Sequence, residues 1–167
     1  MLVTIEDAYA VAKRLKEKSP QIQGVELYGS VLKNGKGHDL DFVLTVDDDT
    51  ARKFWLQKDD TRFKWPPNLV FTRRILKTFL PWLDKALTQK KILSRNLRAS
   101  ALLGIDLTLF GKNYRPGTII DVWLLPVDWR TEQSLNTASL SRITDISDAG
   151  NTLLFLAKMA AVAKKVA

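Results

Sequence analysis

Two aspartates separated by a single residue, Asp39 and Asp41, head an apolar run that reads DLDFVLTV. In an extended strand, residues i and i+2 face the same way. The spacing therefore predicts two carboxylates side by side on one face. Such a pair repels unless a cation lies between them, and a divalent ion with oxygen ligands is the usual solution. Separated from Asp39 by eight residues, Gly29-Ser30 closes an earlier apolar run, GVELY. Glycine permits close backbone approach to a phosphate. A serine hydroxyl and nearby amides can donate to phosphate oxygens. The bland alternative is a hairpin whose turn happens to be rich in Gly and Asp.

Composition narrows the chemistry further. The chain has 167 residues, no cysteine and one histidine, His38. Disulfides, thiolate metal sites and zinc fingers are excluded, and so is a His-rich centre. A metal held by carboxylates alone points to magnesium or manganese. No Ser/His/Asp set has a reliable spacing. Neither G-x-x-x-x-G-K-[ST] nor G-x-G-x-x-G occurs. The formal net charge is +8, which suggests a polyanionic partner, most often nucleic acid, though simple solubility charge gives the same surplus. The N-terminus has no signal-peptide pattern. The apolar stretch over 153–166 is too short and interrupted for a membrane span. A cytoplasmic protein without membrane attachment is the expectation.

The positioning elements follow from local signals. Thr4 is a predicted N-cap with acids in the first turn, and Ile5, Ala8, Val11, Ala12 and Leu15 repeat at helical spacing. Ser19-Pro20 ends that helix. Strands are predicted over 24–28 and 40–46, and residues 47–50 should cap a helix beginning near Ala51. From Arg52 to Arg98, thirteen Lys and Arg interleave with Trp55, Trp65 and Trp82. Asn68 can cap a long helix there, kinked at Pro81, with Arg73, Arg74, Lys77, Lys90 and Lys91 off its apolar stripe. Residues 101–110 and 118–125 read as two strands of a hairpin, and a last helix is expected over 149–166. The fold class is α/β: one domain over 1–167, with a mixed sheet of about four to five strands and helices mainly on one face.

The segment from Val25 to Val46 resembles the signature of the nucleotidyltransferase superfamily that includes DNA polymerase beta, CCA-adding enzymes and poly(A) polymerases. That signature is a Gly-Ser or Gly-Gly pair, a spacer, then Asp-x-Asp in an apolar strand. The resemblance implies a palm-like core with a third carboxylate from a later strand. Ile119-Ile120-Asp121-Val122-Trp123-Leu124-Leu125-Pro126 looks like that strand, with one Asp among aliphatics and a closing proline. Asp106 is the rival. By this likeness Asp39, Asp41 and Asp121 would be the catalytic and metal-binding residues of a two-metal magnesium or manganese site. Gly29, Ser30 and Lys33 would contact the nucleoside triphosphate, Lys33 standing where relatives often carry arginine.

The resemblance stops at the core. No helix-hairpin-helix glycine motif is present, and Asn136-Thr137-Ala138-Ser139 departs from the Thr-Gly-Ser segment of family X polymerases. Three readings follow. The first is a nucleotidyltransferase acting on a nucleic-acid end, with Arg73, Arg74, Lys77, Lys90 and Lys91 gripping phosphates. The second is a minimal nucleotidyltransferase that modifies a protein, a tRNA or a small molecule. The third is a non-catalytic palm module that binds nucleic acid. Tryptophans in the basic region could stack on bases, but core packing is the expectation for at least two of the three.

Overall fold

The computed structural model describes residues 2–56, 91–107, 119–130 and 149–167. A short strand, β1 (Val3–Thr4), leads directly into helix α1 (Ile5–Lys18). Thr4 and Asp7 form a capping box: the Thr4 hydroxyl accepts from the Asp7 amide, and the Asp7 carboxylate accepts from the Thr4 amide at 2.8 Å. These bonds satisfy two amide donors that no helical carbonyl can reach. Ala8, Val11, Ala12 and Leu15 form the buried stripe expected from their spacing. Ser19 ends α1, and its hydroxyl donates to the Leu103 carbonyl.

Strand β2 (Gly24–Tyr28) passes straight into a short helix, α2 (Gly29–Asn34), which ends at Gly35 in the left-handed region. A second short strand, β3 (Lys36–Gly37), pairs with β1. Strand β4 (Asp39–Val46) then runs antiparallel to β2. The spacer between Gly29-Ser30 and Asp39 is thus a short helix followed by a strand. Helix α3 (Asp48–Leu56) begins slightly before the expected position, because Asp47 caps it by accepting from the Thr50 amide at 2.8 Å.

Helix α4 (Lys91–Leu103) corrects the start of the strand expected over 101–110; residues 108–110, and the segment 111–118 that would join it in a hairpin to 118–125, lie outside the described residues. Residues 101–103 finish a helix, and Gly104 follows with φ +69°. Beyond it the Ser100 hydroxyl accepts from the Leu107 amide, tying the loop back to the helix end. Strand β5 (Ile119–Pro126) lies parallel to β4. The last helix, α5 (Ala149–Val162), is shorter than expected, for residues 164–165 form strand β6 (Lys164–Lys165), antiparallel to β2. The result is a mixed four-stranded sheet in the order β5-β4-β2-β6, and the fold class is mixed α/β as expected.

Alternation sorts the sheet into two faces. Leu27, Leu40, Phe42, Leu44, Val122 and Leu124 lie on one face, all fully buried. The other face carries Glu26 and Tyr28 on β2, Asp39, Asp41 and Val43 on β4, and Asp121 and Trp123 on β5. Its far half is filled. Trp123 stacks on Trp55 (centroids 5.0 Å apart) and meets Phe155 of α5 at 4.8 Å. Beside it, the buried Glu26 carboxylate accepts from Trp129 Nε1 at 2.6 Å and pairs with Arg130 Nε at 2.7 Å. Arg130 also donates to the Ala160 and Ala163 carbonyls, fastening the end of α5. The half of this face that carries the aspartates adjoins the β2–α2 junction.

Candidate active site

The β4–β5 register brings the sequence-predicted carboxylates together. Asp41 lies opposite Asp121, and Asp39 lies opposite Ile119. Directly opposed residues on neighbouring strands share a face, so Asp39, Asp41 and Asp121 form one acidic row near the N-terminal ends of both strands. Asp39 and Asp41 are half-buried, whereas Asp121 is only 7 % exposed. A carboxylate so enclosed is costly as an ion unless it has partners. The rival Asp106 belongs to the loop after α4 and not to a strand, so it has no place in that register.

Gly29 is built into the same row. It opens α2 with φ +80°, and a Cβ there would overlap the Asp41 carboxylate, with Asp41 Cγ 2.9 Å away. The absent side chain is therefore the space that Asp41 occupies, a reason for glycine that differs from the phosphate approach expected from sequence. Gly37 plays a matching part for Ser30, since a Cβ at Gly37 would collide with the Ser30 hydroxyl. Ser30 is half-buried in the first turn of α2, and Lys33 is exposed in its last turn. Lys33 lies four residues after Gly29, hence on the same side of the helix.

The donor set fits a hard divalent cation. It consists of carboxylate oxygens on neighbouring positions of two strands, with a glycine clearing the space around one of them. As placed, the carboxylates stand in a row and do not close on a point: among the described residues, no group of three acidic or histidine side chains is arranged to hold a metal ion. Among the described residues, too, no helix is long and apolar enough to cross a membrane.

Of the basic residues assigned to nucleic-acid contact, Arg73, Arg74, Lys77 and Lys90 lie outside the described residues, and Lys91 is the first residue of α4. Trp55 is core: it is 7 % exposed and donates from Nε1 to the Leu124 carbonyl at 2.8 Å. Trp65 and Trp82 lie outside the described residues. Sequence reasoning missed Asn96, a buried polar residue of α4 whose amide bonds the backbone of β5 on both sides of Asp121. The available signal was its position on the same helical stripe as the buried Ala99, Ser100 and Leu103.

A family model described as a nucleotidyltransferase domain matches residues 9–98, just over half of the chain. The match takes in Gly29, Ser30, Asp39 and Asp41 and ends before Asp121. No curated protein and no solved structure matches the chain.

Proposed function

The chain belongs to the nucleotidyltransferase domain family, and from that premise we propose a metal-dependent enzyme that transfers a nucleoside monophosphate from an NTP or dNTP to a hydroxyl at a nucleic-acid end. The observation that carries this reading is the pairing of Asp41 with Asp121 across parallel strands, with Asp39 beside them on the same face. In the proposed reaction the acceptor oxygen bonds to the α-phosphorus. The bond from that phosphorus to the α,β-bridging oxygen breaks, and pyrophosphate leaves with the electron pair. The hydroxyl proton passes to Asp121. Asp39 and Asp41 would hold the magnesium or manganese with Asp121. When bound, such an ion offsets phosphate charge and lowers the pKa of the attacking hydroxyl.

The remaining assignments follow the same logic. Gly29 keeps the space for Asp41, while the Ser30 hydroxyl and the Lys33 ammonium are the candidate contacts for the triphosphate. The net charge of +8 supports a polyanionic acceptor, and phosphate contact by Arg73, Arg74, Lys77, Lys90 and Lys91 is part of the proposal. Trp55 contributes nothing to base stacking in this reading, because the core already uses its ring. A non-catalytic palm module is the weaker alternative, since it gives no reason for three carboxylates on one face.

The test incubates purified protein with each labelled NTP and dNTP, magnesium or manganese, and primed DNA, RNA or tRNA. Transfer that disappears in Asp121→Asn supports the assignment. Transfer at the parental rate in that variant would overturn it. With a nucleic-acid acceptor, replacing Arg73 and Arg74 by Ala should lower the slope of log affinity against log salt by about one to two units. Salt-independent binding would instead favour a protein or small-molecule acceptor.

A further inference from the structure

Strand β5 presents one edge to β4 and the other to the helices. In a parallel pair, alternate residues turn both backbone groups outward, and the outward set here belongs to Ile120, Val122 and Leu124. Unpaired groups on such an edge are costly when buried. Trp55 of α3 serves the Leu124 carbonyl with a single bond. Asn96 of α4 does more. Its side-chain nitrogen donates to the Ile120 carbonyl, and its Oδ1 accepts from the Val122 amide at 3.0 Å. One planar amide thus takes the place of a neighbouring strand for one residue, and the residue it brackets is Asp121.

We propose that Asn96 is a positioning residue for Asp121. The two bonds fix the peptide planes before and after Asp121, and these planes set the direction of its Cα–Cβ bond. Asp121's own backbone groups turn toward β4, so the strand is held from both sides at this one residue. Asn96 is 3 % exposed, so water is poorly placed to replace either bond. Only one orientation of the amide suits both partners, because the carbonyl needs a donor and the amide needs an acceptor. Neither an aliphatic side chain nor a carboxylate can serve both. The inference rests on the reading that Asp121 is the third carboxylate, and the experiment separates the two.

Four variants are compared with the parent: Asn96→Ala, Asn96→Ser (whose hydroxyl can serve one of the two groups), Trp55→Phe and Asp121→Asn. Manganese binding is followed by electron paramagnetic resonance with the metal alone, on protein shown to be folded by circular dichroism. Loss of a group that orients a metal ligand typically weakens affinity or activity by about 10–100-fold. Both Asn96 variants should therefore bind manganese at least about tenfold more weakly. Trp55→Phe, which loses an edge bond of the same kind at Leu124, should bind as the parent does. In nucleotidyl transfer, the Asn96 variants should lose kcat while KM for the nucleotide stays near the parental value. Parental manganese affinity and kcat in folded Asn96→Ser would overturn the proposal. An equal loss in Trp55→Phe would do the same by making the effect one of general edge stability. Parental behaviour of Asp121→Asn in both assays would overturn the assignment of Asp121 and this proposal with it.

Discussion

Substituting Gly29 by alanine probes the site through two separable costs. The first is conformational: Gly29 has φ +80°, and a non-glycine residue in such a strained region costs about 1–3 kcal/mol. The second is steric. Ordinary contact begins at 3.4 Å, but the new Cβ would lie 2.9 Å from Asp41 Cγ and closer still to the carboxylate oxygen. Asp41 must therefore retreat by about half an ångström or more, and a displacement near 1 Å at a reacting centre can cost about a hundredfold in rate. A loss of about 2 kcal/mol should lower the melting temperature of a domain this size by about 4–8 °C. A typical domain would still be more than about 99 % folded at 25 °C, so any larger loss of activity has to come from the site. Gly35→Ala supplies the control. Its φ is +78°, yet a Cβ there meets nothing within 4 Å. Both variants should melt earlier by similar amounts, while only Gly29→Ala should lose about tenfold or more of its transfer rate. Thermal melts followed by circular dichroism, paired with transfer rates at 25 °C, read both costs. Equal transfer in the two variants would refute the reasoning that Asp41 must occupy the space Gly29 leaves.

Two further outcomes are expected. Glu26→Gln removes the anion that receives both Trp129 and Arg130. Hydrogen bonds to a charged group contribute about 1.5–3 kcal/mol, so urea unfolding should show a loss in that range, toward its lower end because Arg130 is 43 % exposed on its side chain and can turn to water. Asp47→Ala should cost about 1 kcal/mol near neutral pH, the usual worth of an N-cap. The Thr50 amide, then the Thr50 hydroxyl, hold the Asp47 carboxyl below its ordinary pKa. As pH falls the unfolded chain takes up this proton first. The contribution of Asp47 is therefore full above the ordinary carboxylate range, near pH 4, and is lost as pH falls through the lower native value. Urea melts of the parent and Asp47→Ala should converge at acid pH, and a gap that widens there would contradict the cap.

Local chemistry was legible wherever it acts over a few residues. Thr4 and Asp7 identified the start of α1, and the alternation around Asp39 and Asp41 identified β4 and its acidic face. The start of ALLGIDLTLF finishes α4 where a strand was expected, because a short apolar run suits a buried helix end as well as a strand. Gly104, left-handed just past the end of α4, was the stop signal that could have decided it. Strand β6 left no periodic trace, since two lysines in succession carry no alternation. The partnership of Asn96 with β5 depends on a helix and a strand meeting edge to side, which no spacing within α4 records. The nearness of Gly29 to Asp41 depends likewise on a left-handed residue at the β2–α2 junction, where sequence indicates a turn but not what the turn makes room for.

The parallel pairing of β4 with β5 also sets an order of events during folding. Tyr28 and Asp41, which pair across β2 and β4, are thirteen residues apart, whereas Asp41 and Asp121 are eighty apart. Closing the longer loop costs about 1.6 kcal/mol more by chain entropy alone, and contacts of high sequence separation slow folding. The two carboxylates of the acidic row on β4 are therefore available early, from a compact stretch of chain that includes Gly29 and Ser30. The remaining carboxylate joins only after a long crossover has been gathered in and β5 has docked. A chain caught before that docking, or one from which β5 has peeled away, holds two aspartates in their native places and lacks the third. Enzymatic competence on this scaffold would then be a late acquisition in folding and an early casualty of partial unfolding.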